Sequence, residues 1–147
     1  MIKTDGKNIS NSFFSLLPGV IILSFLFIVS RYNYLIFHTL AEFFSIIIAW
    51  GLFIIVWNTK ETVKNDALVF IGIAYLFIGG LDLFHTLSYK GMGVLSPERG
   101  ANPATQLWII ARYVESITLC IFPFLLEKRI NVAIPIGGYL IVSGTAL

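Results

Sequence analysis

Charge is what this chain has least of. Lysine, arginine, aspartate and glutamate make up 12% of its 147 residues, where a soluble domain carries about 25%. Ten basic and eight acidic residues leave a net charge of +2, and the basic ones are spread over short polar stretches instead of forming a patch. That excludes a nucleic-acid partner, which requires a basic face. The single cysteine, Cys120, rules out a disulfide within the chain, and its place in an apolar run predicts a buried, inert thiol. Period-two alternation is absent, and with it any case for strands. Gly91-Met92-Gly93 follows no strand and opens no helix, so it is not a phosphate loop.

What the chain has in abundance is apolar length. It is 57% hydrophobic, with 13 phenylalanines and a mean hydropathy of +0.87. Five apolar segments stand out, at about 13–30, 34–57, 67–89, 104–126 and 132–147. A helix needs about 20 residues to cross the hydrocarbon, so the first four are predicted spans, and the fifth reads as a span that stops short. The first is too long for the apolar part of a signal peptide, typically about 7–15 residues, and no cleavage site precedes Arg31. The expected fold is therefore all-α: a polytopic transmembrane helical bundle of five spans, the last incomplete, forming one membrane-embedded domain over 1–147 that is truncated at its C-terminus. Tyr32, Tyr34, Trp57 and Tyr89 fall at predicted span ends, as interfacial aromatics do. Gly72, Gly79 and Gly80 in the third span allow close approach of another helix.

Loop charges set the expected orientation. With the N-terminus inside, Lys3, Lys7, Lys60, Lys64, Lys128 and Arg129 are cytoplasmic, against Arg31, Lys90 and Arg99 outside. The first outer linker is then only a few residues long. The outer stretch 90–103, with Gly91, Gly93, Pro97, Gly100 and Pro103, is expected to make a turn-rich cap.

Six ionisable residues lie inside the spans: His38 and Glu42 in the second, Asp82 and His85 in the third, Arg112 and Glu115 in the fourth. Each pair is three or four residues apart and so shares one helical face. Counted from the outer ends at 1.5 Å per residue, all six fall in one layer about 6–17 Å below the outer boundary. A charge facing lipid near the bilayer centre costs about 2.5–3.5 kcal/mol or more, so the layer is expected to face inward and pair. Arg112 is the one fixed positive charge there, against three carboxylates, and its fork suits any of them.

Several chemistries suit such a layer. His38, Glu42, Asp82 and His85 offer imidazole and carboxylate donors for a transition-metal ion such as zinc, iron or manganese. Bis-histidine haem between His38 and His85 is disfavoured by the neighbouring carboxylates. A network that titrates, or one that only fixes helix register, uses the same residues. A small proton or ion transporter is the rival function; it would need ionisable groups in the inner half of the spans, where none is found. An intramembrane hydrolase is a weaker rival, since no His-Glu-x-x-His is present.

Three stretches carry a family resemblance. Phe37-His38-Thr39-Leu40-Ala41-Glu42-Phe43-Phe44-Ser45-Ile46 resembles the second span of a bacterial membrane-associated sensor domain, the third class of the MASE group. Phe70–Phe77 followed by Asp82–Gly93 is similar to that family's third span and outer loop, and Thr105–Ser116 to its fourth. The resemblance implies an input module of the cytoplasmic (inner) membrane. It would pass an unidentified stimulus to a histidine kinase, PAS or GGDEF-type cyclase domain and work as a homodimer within lipid. No such output segment lies in these residues, so no catalytic residue is expected. His38, Glu42, Asp82, His85, Arg112 and Glu115 are the expected sensing residues.

Overall fold

Five helices and short connections make up the computed structural model: α1 (Gly6–Tyr32), α2 (Tyr34–Val63), α3 (Asp66–Ser88), α4 (Asn102–Leu125) and α5 (Ala133–Ala146). It describes residues 6–92, 94–95 and 102–147, with side chains from Ser15 onward. The architecture is all-helical, with no strand among the described residues. The first four helices are long and apolar enough to cross a membrane, and α5 is a shorter apolar helix. By connectivity the chain divides into two compact units, Met1–Thr39 and Leu40–Leu147.

In the first unit, α1 carries Pro18 internally and exposes apolar side chains such as Leu16, Leu23 and Phe27. One residue ends α1 and starts α2. The Asn33 amide still bonds to the Val29 carbonyl, at 2.9 Å, while its side-chain oxygen accepts the Ile36 N–H at 3.2 Å. An asparagine there caps the new helix in place of the missing backbone partner.

The second unit is organised on α3, the most buried helix. Ala67, Ile73, Ala74, Ile78 and Leu81 are almost inaccessible. Small residues bring neighbours in. The Trp50 indole of α2 lies over Gly79 and donates to the Leu76 carbonyl at 3.2 Å; Val56 sits over Gly72. Ala104, Leu107 and Ala111 of α4 are buried too, and Leu81, Leu107 and Ala111 form a core to which Ala146 of α5 adds. Tyr139 of α5 stacks on Phe77 of α3 with centroids 5.8 Å apart and hydrogen-bonds the Thr118 hydroxyl at 2.6 Å.

Local chemistry sets the ends of α3. Lys64 has a φ of 50°, and Asn65 caps α3 by accepting the Ala67 and Leu68 N–H groups. Beyond Ser88 the chain turns, with Gly91 at a φ of 104°, a conformation glycine adopts without a Cβ penalty. The Leu95 amide returns to the Leu87 carbonyl at 3.2 Å. Half of the cap expected at 90–103 lies outside the described residues. Its last residue, Pro103, belongs to the first turn of α4, where proline's missing N–H has no helical partner to lose.

Cys120 corrects an expectation: it is exposed on α4. An apolar run in a membrane helix has a lipid side as well as a bundle side, and hydropathy does not tell them apart.

Candidate functional site

Asp82 and His85 are the buried acid and imidazole of α3, 3% and 6% exposed respectively. Asp82 Oδ2 accepts from Arg112 Nη2 at 2.5 Å. The other terminal nitrogen of Arg112, Nη1, donates to Glu115 Oε2 at 2.6 Å, and the Tyr75 hydroxyl donates to Glu115 Oε1 at 3.2 Å. One guanidinium thus ties two carboxylates together and joins α3 to α4. Its planar fork makes that geometry possible, which a lysine ammonium would not match. The pairing also offsets the cost of bringing these charges into an apolar interior. It is incomplete: Asp82 Oδ1 and Arg112 Nε are buried with no hydrogen-bond partner among the described residues.

His85 is anchored from the other side. Its Nδ1 lies 2.8 Å from the Ala104 carbonyl at the start of α4. A carbonyl only accepts, so Nδ1 is assigned the proton. The other ring nitrogen, Nε2, faces Glu42 Oε1 of α2 at 3.8 Å. The Tyr89 ring meets the imidazole edge-on, with centroids 6.3 Å apart, and the adjacent Thr86 hydroxyl bonds the Asp82 carbonyl at 2.7 Å. Three helices of the second unit therefore contribute to one polar cluster. Asp82, Arg112 and Glu115 form a hydrogen-bonded triad, and Glu42 and His85 form a second, looser pair.

His38 falls in the first unit. Its ring stands edge-on to Tyr34, with centroids 6.2 Å apart, and it lies one turn before Glu42 along α2. Two contributors lie outside the set expected from the sequence. The Ala104 carbonyl carries no signal in the residue type. Tyr75 does carry one, for it stands seven residues before Asp82, two turns along the same helical face.

An apolar recess lies elsewhere. A cleft of about 440 Å³ lies between α4 and α5, lined by residues including Ile110, Thr118, Pro135, Tyr139 and Val142. It shares no residue with the charged cluster.

Compared with protein-family models, the chain matches MASE3, a membrane-associated sensor domain, over residues 29–147. No curated protein and no solved structure matches it. The matched region runs from the last turn of α1 through α5 and contains every residue of the charged cluster. The chain belongs to the MASE3 family of membrane-associated sensor domains.

Proposed function

We propose that this multi-pass sensor domain receives its stimulus, a small ligand or ion, at the polar cluster of Glu42, Asp82, His85, Arg112 and Glu115. His38 is included on the register of α2, one turn before Glu42. The observation that carries this reading is Asp82. A carboxylate 3% exposed, with one oxygen on Arg112 and the other unpartnered, sits at an energetic disadvantage inside an apolar bundle. Such groups persist where something binds them or where their strain is used.

Binding acts only by favouring one helix arrangement over another. The cluster joins α2, α3 and α4, so a bound species that pulled Asp82 from Arg112, or Glu42 from His85, would alter how those helices meet. Tyr75 bonds Glu115 and Phe77 stacks on Tyr139 of α5, both from α3, so a shift of that helix would move the two contacts together. The protein the domain serves is a bacterial inner-membrane receptor with its N-terminus in the cytoplasm. Its output partner is a histidine kinase, PAS or GGDEF-type cyclase domain, and the working unit is a homodimer. In such a receptor, His38→Ala and His85→Ala should each abolish the response while leaving membrane insertion intact. A normal response in both variants would remove the site assignment.

A further inference from the structure

The Glu42–His85 pair is spaced as an ion pair or as two ligands of one metal ion would be. At 3.8 Å from Nε2 to Oε1 it is too long for a hydrogen bond, which wants about 2.7–3.2 Å. Two ligands of one tetrahedral metal ion, each about 2.0–2.2 Å from it, lie about 3.4 Å apart, and a modest opening of the ligand angle brings them to the distance seen. The second nitrogen of His85 adds an independent observation. Nδ1 donates to the Ala104 carbonyl at 2.8 Å, the arrangement that fixes the tautomer and aims Nε2 in metal-ligating histidines.

We infer that Glu42 and His85 bind a divalent first-row transition metal ion of the zinc, iron or manganese class. The donors are imidazole and carboxylate with no thiolate or thioether, which selects against copper(I). Asp82, bound to Arg112, is left out of the ligand set. As the identity of what the domain senses, the ion rests on the function proposed above; as a binding site it stands by itself.

The test uses the purified chain in lipid nanodiscs, stripped with a chelator and then offered Zn²⁺ or Mn²⁺ alone. After dialysis the wild type should retain about one ion per chain by elemental analysis. Glu42→Gln and His85→Gln should each weaken retention at least about tenfold, with unchanged helical circular dichroism. Glu61→Gln, at the far end of α2, should retain the ion as the wild type does. A wild type that holds neither metal, or two site variants that hold it as well as the wild type does, would overturn the site and leave Glu42 and His85 as an ion pair. The receptor response separates the two ideas. A response lost in His85→Ala without metal binding defeats the metal alone. Stoichiometric metal with a response indifferent to it keeps the site and defeats its role in sensing.

Discussion

Gly79 and Gly80 are adjacent, yet their surroundings are opposite. A Cβ at Gly79 would come within 2.8 Å of Trp50 Nε1, 2.9 Å of its Cδ1 and 3.2 Å of Ala49 Cβ. A Cβ at Gly80 meets nothing within 4 Å. Both are mid-helix, where glycine costs about 0.5–1 kcal/mol relative to alanine. Gly80→Ala should therefore stabilise the domain by up to that amount. Gly79→Ala should destabilise it by about 1–3 kcal/mol, because the indole that bonds Leu76 must move. Thermal unfolding in detergent checks both signs, and the Trp50 environment should change only in the second variant. The same scale shows what the sequence concealed in the site. Helical spacing made each charged pair visible, since side chains three or four apart share a face. Which pair meets which was not visible. Arg112 had three carboxylates to choose from, and the choice of Asp82 and Glu115 depends on how α4 is rotated against α3.

At the scale of elements, hydropathy located the helices and local polar chemistry moved their ends. The apolar run 34–57 continues as helix to Val63 because Asn58 and Thr59 turn their side chains back onto the Ile54 and Ile55 carbonyls and Lys60 lays its ammonium over the Trp57 ring at 3.7 Å. These satisfy polar groups without leaving the helix. The link between α4 and α5 is fixed in a way no local pattern announces. Asp66, in the first turn of α3, accepts the Ile130 N–H at 2.9 Å, 64 positions along the chain. That carboxylate also sits favourably at a helix N-terminus. A hydrogen bond to a charged group is worth about 1.5–3 kcal/mol, so Asp66→Ala should free the stretch between Leu125 and Ala133. Lys128 and Arg129 lie in it and are exposed. Limited trypsin digestion of the variant should cut there several-fold faster than in the wild type. Equal rates would mean the linker is held by something other than Asp66.

For the molecule as a whole, the polar cluster lies toward one end of the helices that build it. Asp82 and His85 are within seven residues of the end of α3 at Ser88, and Glu42 is eight residues into α2. The opposite end carries Lys60, Lys64, Lys128 and Arg129. Basic residues in short connections are retained on the cytoplasmic side, so the proposed orientation predicts a cluster toward the outer face, where a stimulus from outside would reach it without crossing the hydrocarbon centre. Single cysteines decide the matter. In a Cys120→Ser background, Lys90→Cys follows α3 and Glu127→Cys follows α4, and both positions are exposed. A membrane-impermeant maleimide added to intact spheroplasts should label the first and spare the second until the cells are lysed. The reverse pattern would put the cluster on the cytoplasmic side, and the domain would then have to read the cell interior.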